Sequence, residues 1–355
     1  MHPKTGISSF PVDLIRTIAI ILVILLHAST QSYPDVGLMS PQGVQIWWAS
    51  NVYDSISRVC VPLFVMLAGA LLLQPSKADE PLKVFFKKRL NRIGIPFLFW
   101  GAIYFAWRLF VNGEKLTTNS IVQGVLGGPY YQFWFLYLLL GLYIVTPVLR
   151  VVIKHADWKI LRYLIFVWFV GTAIIPLLTL FGSYSLNANV FIFTGWLGYF
   201  VLGAYLLKVQ FKSSILTLVL VLSYLWTIMG TYLVIATMGE RFGHFFLDAF
   251  SFNIIFASAA LFLLLAAIPS QKIAYRFPHG NRVLKLIGQN TLPIFLFHAI
   301  VLEVLQKGYF FGFTISITTM NPFIEIPLLT ILTLLICLAV IVPLKKIPYV
   351  KRIIG

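Results

Sequence analysis

An all-α polytopic membrane protein is the fold class this sequence predicts: one bundle of about ten transmembrane helices with both termini cytoplasmic. Three observations carry that expectation. Of 355 residues, 59% are hydrophobic and 11% charged, and the mean hydropathy is +0.91. A soluble domain carries roughly twice that charge fraction. Apolar stretches near twenty residues long recur from end to end, each long enough to cross roughly 30 Å of hydrocarbon. The basic residues behind the net charge of +16 fall mostly in alternate loops, as topology requires of a multi-pass chain. That distribution explains the charge better than a nucleic-acid footprint does, so no nucleic acid is expected as a partner.

In chain order the spans read as 10–30, 52–73, 94–112, 130–149, 160–181, 190–207, 213–238, 249–268, 285–306 and 322–343. The segments with Lys77, Lys83, Lys87, Lys88, Arg89 and Arg92, then Arg150, Lys154, Lys159 and Arg162, fall on one side. Lys208 and Lys212, then Lys272, Arg276, Arg282 and Lys285, then Lys345, Lys346, Lys351 and Arg352 share it. The opposite loops hold little beyond Lys115, Arg241 and Lys307. This places both termini in the cytoplasm, in agreement with an even number of spans.

No polar linker, low-complexity tract or internal repeat divides the chain, so residues 1–355 read as a single transmembrane domain. Residues 1–30 have the basic start and short uncharged core of a signal peptide. Against cleavage, Arg16 lies inside an apolar stretch that begins at Phe10, and no small-x-small site follows. With no eukaryotic sorting signal, the expected location is a prokaryotic inner (plasma) membrane. Cys60 and Cys337 lie in separate spans; they read as small buried residues and supply neither a metal site nor a disulfide framework.

The informative residues are the polar ones inside apolar spans, where an ionisable group costs roughly 3 kcal/mol or more. In "VDLIRTIAIILVILLHAST", residues 12–30, His27 follows Arg16 by eleven positions, a rise of about 16 Å and about three full turns. Both therefore share one face, with Arg16 near the cytoplasmic interface. Asp13, three residues before Arg16, shares that face and can pair with it. Read singly, Arg16 is a snorkelling anchor and His27 an interhelical hydrogen-bonding residue. Their alignment points instead to a face turned into the bundle.

The second feature is "FFKKRLNRIGIPF", residues 85–97. Here Arg89 and Arg92, and likewise Lys88 and Arg92, lie one turn apart at the cytoplasmic mouth of the third span. Such a cluster serves topology, and it also suits phosphate, which guanidinium forks grip bidentately. Asp54 and Arg58 form an i,i+4 pair at the outer start of the second span, read first as a structural ion pair. His298 lies at a depth like that of His27, behind Pro293, with Glu303 in the same span. Asp13, Asp54, Arg58, His298 and Glu303 are therefore candidate cavity-lining residues. No nucleotide loop, zinc motif or serine elbow appears in the sequence. "LAGALLL" lacks a small-xxx-small pair, while the glycines of "GWLGYFVLGAY" read as helix packing.

Together these residues resemble the acyltransferase 3 family of bacterial membrane proteins. The family's first-span signature, a basic residue, ten residues, then His, reads here as Arg16 to His27, and its Arg-x-x-Arg as Arg89 to Arg92. "VPLFVMLAGALLL" is similar to the family's "PLFF-x-x-SG" stretch, with Ala68 where Ser is usual. "FWFLYLLLGLYIVTP" and "LPIFLFHAIV" resemble its mid-chain Trp-Phe-Leu and late Tyr-x-x-x-His segments, the latter with Phe295 standing for the usual Tyr. The likeness spans nearly the whole chain in the family's motif order.

The resemblance implies an O-acyltransferase that moves an acyl group, most often acetyl, from cytoplasmic acyl-CoA to a hydroxyl of an envelope glycan or lipid-linked sugar. It implies His27 as base or acyl carrier and Arg16 as a partner that polarises the thioester carbonyl or steadies the pantetheine path. Arg89, Arg92 and Lys88 would hold the phosphates of acetyl-CoA. No metal is expected, the other partners are membrane lipids, and oligomeric state is not readable. The rival expectation is a transporter or flippase, since aligned intramembrane charges also mark proton-coupled carriers.

Overall fold

A computed structural model describes residues 10–30, 41–182, 195–309, 312, 314–315 and 320–355. Among them the regular elements are all helical. In order they are α1 (Val12–Thr30), α2 (Pro41–Ser57), α3 (Cys60–Leu72), α4 (Leu82–Arg89), α5 (Ile95–Phe110), α6 (Thr118–Gly127), α7 (Trp134–His155), α8 (Trp158–Phe169) and α9 (Ile175–Phe181). There follow α10 (Trp196–Leu206), α11 (Ser213–Met238), α12 (Phe252–Ala266), α13 (Ser270–Arg276), α14 (Pro278–Gln289), α15 (Thr291–Lys307), α16 (Pro322–Leu344) and α17 (Pro348–Ile354).

Among the described residues seven helical stretches are long and apolar enough to cross a membrane, or nine if two bent pairs each count as one span. The chain is thus a multi-pass membrane protein. The expected spans 213–238 and 322–343 match α11 and α16 within a residue. The expected 52–73 is longer, because the apolar helix already runs from Gly43 to Leu72. The expected 190–207 shows only the short α10, with 190–194 outside the described residues. The expected 249–268 and 285–306 belong to the two pairs, α12–α13 bent by 61° and α14–α15 by 76°.

Proline chemistry explains several of these shapes. α4 and α5 are joined through a π turn at Leu90–Gly94. Pro96 offers no N–H, and its ring crowds the carbonyl four residues back, that of Arg92, so the ladder widens there by one residue. Pro176 follows the π turn at Val170–Ile174 in the same manner. Pro278 opens α14, where a missing N–H costs nothing.

α1 lies at the centre, packed against α2, α3, α12, α14, α15 and α16. Ile15, Ala19, Ile20 and Ile24 of α1 are fully buried. Lipid gives helices no hydrophobic drive to associate, so they rely on close backbone approach at small residues. α3 and α10 show this at Gly69, packed on the Phe200 backbone, and at Gly203, packed on that of Met66. The lack of a small-xxx-small pair around Gly69 therefore did not preclude tight packing there.

The basic segments meet at one end of the bundle. Glu80 receives Lys88 at 2.8 Å and Arg150 at 3.0 Å, and Asp79 receives Lys154 at 2.9 Å. The opposite end holds the pairs Arg108–Glu114 and Lys307–Glu303.

Candidate functional site

A cleft of about 350 Å³ opens at the basic end. Arg16 of α1, Arg89 and Arg92 of the α4–α5 unit and Lys77 after α3 line it. The π turn matters here, since it sets the angle between Arg89 and Arg92 on a helix that would otherwise continue unbroken. Arg89 lies over the rings of Phe85, 5.2 Å to the centroid, and Tyr143, 5.8 Å. Phe85 is itself covered from its other neighbour by Arg150, 4.7 Å away. Arg150 is 2% exposed and donates to the Leu72 carbonyl at 2.7 Å and to Glu80. It staples α7 to the end of α3 and holds the mouth in shape.

Two of the expected residues lie outside this cleft. Lys88 does not line the cleft: its ammonium is held by Glu80, beside a separate surface niche. A lysine on a helix edge follows the nearest carboxylate, and Glu80 is within reach. Asp13 makes no ion pair with Arg16 among the described residues; it lies on the backbone of Gly288, where a Cβ would come within 2.8 Å, and lines a groove with Lys285. It remains near enough to act on the Arg16 charge through space.

Sequence reasoning missed Lys77 and Tyr143, which line the cleft. Lys77 counts in the sequence only as a topology charge; its Nζ donates to the Leu71 carbonyl at 2.6 Å, which tethers it at the cleft wall. Inward from the charges the lining becomes apolar, through Leu71, Ala68, Leu139 and Leu67. Ala68, the departure from the family pattern, is therefore a lining residue.

Beyond that apolar stretch lie His27 and His298, brought together from α1 and α15. Their rings stack with centroids 5.3 Å apart and planes 29° from parallel. His27 is half-buried and touches Tyr131 at 4.7 Å, while His298 is fully buried. His298 Nδ1 contacts the Phe295 carbonyl at 2.6 Å. A carbonyl only accepts, so a neutral imidazole places its proton on Nδ1 and its lone pair on Nε2. That Nε2 has no partner and is sealed from solvent.

Asp54 and Arg58 form the expected ion pair at 2.6 Å, with Asp54 buried and Arg58 near enough to act electrostatically on His27. Glu303 lies outside the cleft as an anchor at the far end, accepting from Trp107, Tyr130 and Lys307. Tyr130 stacks on Tyr104 at 4.8 Å.

One cationic mouth, one apolar passage and two stacked histidines thus follow one another along α1 and α15. Residues 11–342 match the family described as an acyltransferase domain, acyltransferase 3. The chain belongs to the acyltransferase 3 family. Neither a curated protein nor a solved structure matches it significantly. For this acyltransferase 3 protein, the motif residues Arg16, Arg89 and Arg92 share one cleft, and His27 stands beyond its apolar wall.

Proposed function

We propose that this membrane acyltransferase is an O-acetyltransferase, drawing acetyl from cytoplasmic acetyl-CoA and placing it on a hydroxyl of an envelope glycan or lipid-linked sugar in a prokaryotic inner membrane. The observation that supports it best is the gathering of Arg16, Lys77, Arg89 and Arg92 at the mouth of one cleft with an apolar interior. Four cationic side chains with no acidic side chain in the lining suit the phosphates of a nucleotide-linked donor, and guanidinium forks bind phosphate bidentately. The apolar stretch suits a pantetheine arm, which brings the thioester toward the histidines.

His27 then takes the proton of the attacking hydroxyl. The oxygen bonds to the thioester carbonyl carbon, the C–S bond breaks, and the CoA thiolate recovers the proton held by His27. Arg16, on the donor side of α1, holds the donor and offsets its negative charge along the path to His27.

The test is release of free thiol from acetyl-CoA by purified protein in vesicles containing envelope glycans. His27→Ala is expected to lower the rate by about 100-fold or more, while the protein stays folded and membrane-embedded. Wild-type transfer by that variant would remove the assignment of His27. A carrier would release no thiol at all.

A further inference from the structure

Four helices pass from the cationic mouth toward the histidine pair, and three of them end their share of the cleft on a phenylalanine. α15 contributes Thr291, Leu292 and then Phe295, with His298 one turn further and outside the lining. α7 runs from Tyr143 through Leu139 to Phe135, and Tyr131 beyond it touches His27. α3 runs from Leu72 to Phe64.

These three rings meet. Phe64 and Phe135 are 5.8 Å apart by centroid, and Phe135 and Phe295 5.2 Å. The ring of His298 lies 5.7 Å behind Phe295. Phe135 and Phe295 are 6% and 5% exposed. The unpartnered, solvent-sealed Nε2 of His298 lies one turn from a cleft open to water. The mutual ring contacts, with Phe135 and Phe295 almost fully buried, make these three rings the inner wall of the cleft, with His298 directly behind it.

We infer that Phe64, Phe135 and Phe295 form a septum that sets the size of the transferred acyl group. The inference rests on the acyl-CoA reading above and adds what selects acetyl over longer chains. The donor's arm occupies the apolar cleft, and only the acyl head has to pass the rings. Each ring stands on a different helix, so one can swing aside by a rotamer change without moving a backbone. A short head passes behind one displaced ring. A longer chain needs two rings displaced together, or has to fold back into a cleft already holding the arm.

Phe135 is the residue to test, because the recorded ring contacts of His27 and His298 do not include it. Acetyl-, butyryl- and hexanoyl-CoA are offered to full-length protein in membrane vesicles carrying the host's envelope glycans, and thiol release is followed. In Phe135→Ala the butyryl-to-acetyl ratio of kcat/KM rises about tenfold or more, with hexanoyl following. Phe135→Leu gives a smaller rise, and Phe110→Leu, at the exposed end of α5 and outside the cleft lining, leaves the ratio at the wild-type value.

A ratio in Phe135→Ala within about twofold of wild type, or an equal gain for all three donors, overturns the septum. If the alanine variant does not fold, Phe135→Leu decides: a ratio raised about threefold supports the inference and an unchanged one refutes it. Failure of the parent reading looks different, since wild type would then release no thiol from any of the three donors.

Discussion

A methyl group added to Gly69 should unseat a wall of the cleft. A Cβ at this position would lie 1.8 Å from the Phe200 carbonyl oxygen and 2.7 Å from its carbon. Across the same interface, a Cβ on Gly203 would lie 2.0 Å from the Met66 oxygen. Carbon and oxygen rest at about 3.3 Å even in close Cα–H···O contacts, so α3 and α10 would have to part by about 1.5 Å. No rotamer relieves the overlap, because both partners are backbone. A gap of about 1 Å already forfeits up to half of each dispersion contact, and overpacking costs about 1–3 kcal/mol or more.

Taking about 3 kcal/mol, and about 2 °C per kcal/mol for a chain of this size, Tm should fall by about 6 °C. Thermal unfolding in detergent, followed by size-exclusion fluorescence, measures this for Gly69→Ala and Gly203→Ala. Gly141→Ala is the control, since a Cβ there meets nothing within 4 Å. Because α3 carries Phe64, Leu67, Ala68 and Leu71 of the cleft, acyl transfer should fall in both variants even where they remain folded. Unfolding of both within about 1 °C of wild type would refute the close-packing argument.

The remaining predictions concern the mouth. Arg89→Gln and Arg92→Gln should each raise the acyl-CoA KM about tenfold with little change in kcat, a penalty that shrinks as salt rises. Lys77→Met should raise the same KM several-fold and Lys88→Met less than about twofold, measured side by side; the reverse order would return Lys88 to the cleft. Glu80 lies outside the spans, and its hydrogen bonds from Lys88 and then Arg150 hold its carboxyl below the usual carboxylate range. A lowered carboxyl stabilises the fold above its unfolded value, near about 4.3, and loses that contribution as pH falls through the folded value. The Tm advantage of wild type over Glu80→Gln should therefore be full at pH 7 and narrow below about pH 4; a gap independent of pH would refute it.

The sequence made the helical membrane class legible because apolar run length and basic-loop alternation are physical requirements of a bilayer. The Arg16–His27 face was legible for a similar reason, since a period of 3.6 residues acts on every helix. Other features carry no such mark. Lys88 and Lys77 look alike in the sequence; which one faces the cleft depends on Glu80 and on the Leu71 carbonyl. Phe64 and Phe135 are apolar residues in apolar spans, so nothing set them apart, and Phe295 stood out only as a motif position and not as part of a wall. The 76° bend at α14–α15 hides inside a sequence that reads as one run, because hydropathy records composition and not direction. His298 was a candidate by its depth in the sequence, but its stacking on His27 shows only once α1 and α15 come together.

α15 also acts as a measuring rod. Thr291 stands at the cleft, Phe295 at the ring wall and His298 against His27, so the interval from first to last is seven residues, or about 10 Å. Tyr104 holds this interval from the side through its bond to the Leu296 carbonyl, 2.7 Å. Along such a rod, spacing and azimuth cannot change independently: one residue gained or lost between Thr291 and His298 shifts the imidazole by only about 1.5 Å but turns it through about 100°, off the His27 ring altogether. Length can vary before Gln289 or after Lys307, where the count does not enter the geometry. Between them the number of residues is itself part of the site.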